Sequence, residues 1–167
     1  YQINRSVYSL LRYGRQGAKD ANGRRQTVHY INWDDIGSND FYVAEEVSVL
    51  RFDKVTRKRP DVVLYINGIA LGVFELKSSY VSAGKGIRQM LQNQKRENIL
   101  NFFSTAQFLF AGNEAEGHFY GTTDTPEKYY LNWKEDKKAT DELSAAVKLL
   151  QVKEVNRLRN GVISLCH

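Results

Sequence analysis

Three polar residues flank the most apolar stretch of this sequence: Asp61 where it begins, Glu75 and Lys77 where it ends. A carboxylate buried without a partner is costly, so two of them at the end of a core segment need an offsetting charge. A divalent cation would supply it. Two carboxylates, a backbone carbonyl such as that of Leu76, and water together form the hard oxygen ligand set that suits Mg²⁺. A metal held there would polarise a phosphodiester and lower the pKa of an attacking water. Lys77, a compact point charge, would orient that water or neutralise charge developing on the phosphate.

Whether the two acids can meet depends on strand register. Residues 61–66 and 69–76 are apolar runs separated by Asn67-Gly68. Asn and Gly tolerate the positive φ of a tight turn, so this reads as a β-hairpin. Both strands are apolar on both faces, which places the hairpin in the middle of a sheet covered on each side. With an ideal two-residue turn, Ile66 pairs with Ile69, Asp61 opposes Phe74, and Glu75 points to the other face. A shift of one residue puts Asp61 directly opposite Glu75, with Lys77 on the same face and facing Cβ atoms roughly 5 Å apart. The chemistry therefore predicts an odd-length loop or a single bulge at 66–70.

The remaining elements must hold that hairpin. Residues 2–14 carry Ile3, Val7, Leu10 and Leu11 at helical spacing and end on Gly14, a helix with a glycine stop. Residues 15–25 read as a polar, basic loop. Residues 27–33 and 41–52 read as strands separated by a turn-rich stretch at 34–40. After a Ser-Gly loop, 84–103 reads as one long helix; 105–111 and 118–122 read as short strands around a Gly-rich turn, 128–133 as another, and 140–158 as a third helix. The order predicts an α/β fold, a mixed sheet flanked by helices. Tyr65, Tyr80, Phe102, Phe103, Phe108 and Phe110 alternate with aliphatic residues rather than with cations, and are expected in the core rather than as base-stacking platforms.

Composition narrows the classes. At 167 residues, 42% hydrophobic and 26% charged, with two Pro and twelve Gly, the chain suits one globular domain and excludes disorder, collagen and membrane-spanning readings. The net charge of +5 is compatible with a polyanionic partner. Four cations, Lys54, Arg57, Lys58 and Arg59, stand just before Pro60-Asp61, where phosphate contact is chemically sensible. One Cys, Cys166, and three scattered His exclude an internal disulfide and leave no His/Cys zinc site, pointing to a reducing compartment. The opening on Tyr1 suggests a piece of a longer chain.

Pro60-Asp61, thirteen intervening residues, then Glu75-Leu76-Lys77 resembles the PD-(D/E)xK nuclease signature. Its context, 59–68 with 75–77 and supported by Asn39-Asp40-Phe41, 86–89, 111–113 and 117–122, resembles the nuclease domain at the N-terminus of the R subunit of type I restriction-modification enzymes. The resemblance implies a restriction-endonuclease-like mixed sheet over residues 1–135, with 136–167 a helical extension leading towards a motor. It implies an Mg²⁺-dependent endonuclease cutting double-stranded DNA after ATP-driven translocation, the ATP belonging to that motor, in a cytoplasmic complex with modification and specificity subunits and no membrane. Asp61 and Glu75 match the family's metal ligands and Lys77 its catalytic lysine; Lys58, Arg59, Lys85 and Arg88 are the expected DNA contacts. The family's Gln-x-x-x-Tyr motif is incomplete: Gln89, Gln92 and Gln94 are followed at that spacing by Asn93, Arg96 and Asn98, with Gln89 the expected supporting residue. Gly84-Lys85-Gly86 lacks a Walker A pattern, so no ATP site is expected in this loop. Another nuclease of the same fold, acting in repair or junction resolution, and a catalytically silent DNA-binding module are the competing readings.

Overall fold

A computed structural model of the chain describes residues 2–134. The expected helix at 140–158 and the extension at 136–167 lie outside the described residues. Helix α1 (Gln2–Tyr13) is followed by strands β1 (Arg15–Lys19), β2 (Arg25–Val28), β3 (Phe41–Glu45), β4 (Val49–Leu50), β5 (Arg57–Lys58), β6 (Val62–Ile66) and β7 (Ile69–Leu76). Helix α2 (Ala83–Asn93) and strands β8 (Phe108–Asn113), β9 (Gly117–Gly121) and β10 (Leu131–Asn132) complete it. Six strands form one mixed sheet in the order β10-β9-β8-β7-β6-β3, antiparallel except for the β7–β8 pair. The fold class is the expected one, an α/β mixed sheet with helices.

β7 is central and buried along most of its length. β6 is half-buried at every residue but Val63, because its outer neighbour β3 is the sheet edge; the hairpin is therefore central on one side only. On one face Val73 packs with Met90 of α2, Ile99, Phe103 and Leu109. The C-terminal half of β7 also carries Phe74, stacked on Phe110 with ring centroids 4.6 Å apart.

The one-residue shift is present, but not where expected. Asn67 and Gly68 both have positive φ and make the ideal two-residue turn, with Ile66 paired to Ile69 and Tyr65 to Ala70. The register then slips, so that Leu64 pairs with Gly72 and Val62 with Phe74, leaving Leu71 as the extra residue. The bulge sits beyond 66–70 because Leu71 has a place to go: it is buried with Leu11 of α1 and Ile31, flanked by Val7, Ile66 and Ile69. Deleting Leu71 should accordingly preserve the register beyond the bulge while removing a core leucine. The expected loss is about 2–5 kcal/mol of stability, with the Asp61–Glu75 cross-strand proton contact retained in the NMR spectrum; its disappearance from a folded deletant would contradict this register.

Other expectations need correction. Residues 15–25, read as a loop, form the β1–β2 hairpin, closed by Asp20, whose Oδ1 accepts from the Asn22 and Arg24 N–H groups. The strand read at 27–33 is instead β2, which ends at Val28. The segment 41–52 is broken at Glu46, at φ +49, into β3 and β4, and β4 pairs with β5 in a separate hairpin. The helix read at 84–103 stops at Asn93, where Asn98 Nδ2 donates to the Gln92 carbonyl and Gln94 Nε2 to that of Met90, and a 3-10 turn follows at Leu100–Ser104. Of the aromatics expected in the core, Phe103 and Phe110 are buried, whereas Phe108 and Tyr80 are exposed.

Candidate active site

The bulge and the hairpin converge on one point at the end of β7. Pro60 is buried where the chain approaches β6, a position at which its missing N–H leaves no ladder bond unmade. The Asp61 carbonyl accepts from Glu46 N–H at 2.9 Å, which extends the β3–β6 ladder and anchors the residue. Its Oδ2 accepts from the Leu76 N–H at 2.6 Å, so the side chain reaches across to the exit of β7. Asp61 and Glu75 thus lie together rather than on opposite faces, and their carboxyl groups interact.

Glu75 is the most unusual side chain of the group. Only 1% of it is exposed, and Lys77 Nζ donates to its Oε1 at 2.8 Å. Its Oε2 is buried with no hydrogen-bond partner. Burial pushes the Glu75 carboxyl above the ordinary range; the Lys77 hydrogen bond draws it back, and the neighbouring Asp61 raises it again, by its charge and by the hydrogen bond the two carboxyl groups share only when one of them is protonated. An unpaired buried carboxylate oxygen beside a second carboxylate is the arrangement that a divalent cation relieves. Among the described residues no group of three or more His, Cys, Asp or Glu side chains could hold a metal. A cation here would draw on Asp61, Glu75, a backbone oxygen and water, a set that fits Mg²⁺.

Lys77 is fixed through its backbone: its N–H donates to the Gly112 carbonyl of β8 at 2.9 Å. Helix α2 closes over the same point. A Cβ on Gly86 would lie 3.2 Å from the Glu75 carbonyl oxygen and from Ala111 Cβ, and 3.6 Å from Lys77 Cγ. A side chain here would force the helix or the strand to give by a few tenths of an ångström. Gly86→Val is expected to lower stability by about 1–3 kcal/mol by overpacking, measured by denaturant unfolding; a neutral outcome would mean the helix does not seat here.

The start of α2 is held by residues that the sequence reading passed over. Ser82 Oγ accepts from Gly84 N–H, and the Glu116 carboxylate accepts from Ala83 N–H at 3.0 Å. Fully buried Asn113 ties this together, donating to Glu116 Oε1 and to the Val81 carbonyl and accepting from Glu116 N–H. The signal for this clamp was the run Asn113 to Gly117, an Asx-type turn joining β8 to β9.

The expected DNA contacts are dispersed. Arg59 pairs with Glu46 at 3.3 Å and Arg88 with Glu127 at 2.5 Å, so two of the four cations are already engaged. Lys85 is exposed on the first turn of α2, and Lys58 is half-buried on β5. Gln89 is exposed, and among the described residues it bonds to none of Asp61, Glu75 and Lys77.

Residues 1–128 match the family model for the type I restriction enzyme R protein N terminus. The chain is similar to the type I restriction enzyme MjaIXP endonuclease subunit of Methanocaldococcus jannaschii, 27% identical over 127 residues that make up 74% of this chain and 12% of that protein. It is also similar to the type I restriction enzyme HindI endonuclease subunit of Haemophilus influenzae, 24% identical over 163 residues, 96% of this chain and 15% of that protein. The chain thus spans only a small fraction of the length of these relatives. With the match extending over the hairpin, its carboxylates and the helix that covers them, this chain belongs to the family of type I restriction enzyme R protein N termini.

Proposed function

We propose that the chain is the PD-(D/E)xK endonuclease domain of a type I restriction R subunit, with residues 1–135 as the nuclease and Asp61, Glu75 and Lys77 as its working residues. The observation that carries this is the buried, unpartnered Oε2 of Glu75 beside Asp61. Mg²⁺ held by these carboxylates would supply Lewis-acid polarisation of a DNA phosphodiester and an acidified water. The protein's own contribution is positional. Asp61 is locked by the Leu76 N–H, so its carboxylate stays aimed at the end of β7. Lys77, on a backbone pinned to Gly112, keeps its ammonium in the site, where it can neutralise charge developing on a phosphate oxygen.

Double-stranded DNA is the proposed substrate. Cutting would follow ATP-driven translocation by a motor in the same subunit, in a cytoplasmic complex with modification and specificity subunits. Among the described residues no helix is long and apolar enough to cross a membrane. The test is Mg²⁺-dependent DNA cleavage by the complete complex with and without Glu75→Ala. Cleavage should vanish while ATPase and translocation persist. A mutant that still cuts refutes the catalytic assignment; a wild-type complex that never cuts supports a silent module of the same fold.

A further inference from the structure

The β4–β5 hairpin has a tip that burial does not explain. Phe52 is 64% exposed and Val55 80% exposed, yet the turn that presents them is closed by its own hydrogen bonds. Asp53 Oδ1 accepts from the Val55 and Thr56 N–H groups at 2.9 Å, and its Oδ2 is bonded by the Thr56 hydroxyl. These bonds hold the Asp53 carboxyl down at about 2. Arg51 N–H donates to the Thr56 carbonyl, Lys54 N–H to that of Arg51, and Phe52 N–H to that of Asn98, which fastens the hairpin to the loop after α2. An ordered turn that holds two apolar side chains in water has already had its conformational freedom removed, which favours a contact made without further ordering.

The charges around this tip are mostly positive, although Glu97 follows Lys95 and Arg96, Arg51 lies 4.0 Å from Asp53 and Arg59 pairs with Glu46. Between residues 51 and 59 there are five cations and one acid, Asp53, whose oxygens are taken up inside the turn. Among the described residues Lys54, Lys58, Lys95 and Arg96 stand in no ion pair, and the Arg96 guanidinium lies 5.7 Å from the centre of the Phe52 ring. A groove of about 820 Å³ runs beside the tip, lined in part by Arg51, Phe52, Lys54, Arg96 and Leu100.

The hairpin also lies on the face that carries the carboxylates. Val49 of β4 packs against the cluster containing Val73, and Val73 and Glu75 are two residues apart on β7, hence on one face. From Arg57 the chain runs directly into Asp61, an extended span of no more than about 14 Å.

We infer that this hairpin docks duplex DNA beside the Asp61–Glu75 pair, with Lys54, Arg57 and Arg96 on backbone phosphates and Phe52 and Val55 against sugar and base edges in the minor groove. Apolar side chains flanked by cations are how minor-groove proteins engage a duplex. The inference rests on the nuclease reading for its substrate but is tested without catalysis.

The test is binding of a fluorescent duplex to the full 167-residue chain in chelator, across a salt series. Lys54→Asn, which tolerates the positive φ at this position, combined with Arg57→Gln should reduce the slope of log affinity against log salt by about 1.8. Phe52→Ala and, at the more exposed site, Val55→Ser should weaken binding at fixed salt, about tenfold for Phe52, with the slope unchanged.

An unchanged slope and affinity in these variants overturn the proposal. So does a hairpin-dependent preference for single strands or anionic vesicles over duplex. If hairpin substitutions weaken duplex binding but the complete complex never cuts, the docking surface stands and the nuclease reading falls. If the complex cuts and the variants bind normally, the reverse holds.

Discussion

Replacing Glu75 by Gln is expected to remove Mg²⁺-dependent cleavage by the complete complex, by roughly a thousandfold or more, while making the metal-free chain more stable near neutral pH. Both effects have one origin. Oε2 of Glu75 is buried with no protein donor, and Asp61 stands alongside. An amide at this place would present a donor where a cation needs an acceptor, so divalent-metal binding measured by calorimetry should be lost together with cleavage. The amide oxygen can still accept from Lys77, which limits the structural damage.

The stability arm has a definite sign. Burial, reinforced by Asp61, raises the Glu75 pKa above its ordinary value of 4.5. A carboxyl raised on folding contributes stability that is fully present below the unfolded pKa and is lost as pH rises through the folded value. Above the ordinary value, therefore, the wild type loses stability that the Gln variant keeps, and the two converge in acid. Denaturant unfolding in chelator, from below pH 4.5 to neutrality, reads this difference directly. A Gln variant less stable than wild type at neutral pH would mean that Lys77 more than compensates the buried charge. In that case, the case for a cation at Glu75 loses its physical basis.

The hairpin was legible because its signals are strong and local: two apolar runs and an Asn-Gly turn at positive φ. That Asp61 must face Glu75 was legible as a parity requirement, since an even register would separate them. The position of the bulge was not. In β7 almost every residue is buried, so no alternation of polar and apolar residues marks where the strand slips. Leu71 takes the extra position because Leu11 and Ile31, far away in sequence, form a pocket for it. The β1–β2 hairpin escaped for the opposite reason, being exposed at nearly every residue, so that no hydrophobic period exists to read.

Helix α2 shows a third kind of limit. Its apolar positions continue through Ile99, Phe102 and Phe103, so the sequence pattern runs past the true end. Side-chain amides of Gln94 and Asn98 take the last carbonyls and stop the helix, a choice that depends on tertiary seating. At the site itself, the three chemical residues were readable by type and spacing. Their supports, Gly86, Gly112, Asn113 and Glu116, act through close approach and backbone bonds, and residue type alone does not announce such roles.

Phe74→Ala should give a large loss of stability, about 3–5 kcal/mol. Phe74 is fully buried, stacks on Phe110 at 4.6 Å and meets the edge of His118 at 6.1 Å, so its removal forfeits both transfer free energy and ring contacts. It also sits between Val73 and Glu75 on β7, and it is the partner of Val62 in the ladder just inside Asp61. A cavity here would therefore loosen the strand on which both the carboxylate and the lysine depend. Phe74→Leu, which refills much of the space, should recover a large part of the loss. The check is chemical denaturation of the 167-residue chain, with stability compared at equal m-value. A loss below about 1 kcal/mol for Phe74→Ala, in the range of an ordinary surface substitution, would show that the β7–β8 aromatic stack does not hold this sheet together. Site rigidity would then have to come from the α2 face alone, through Val73, Met90 and the close seat at Gly86.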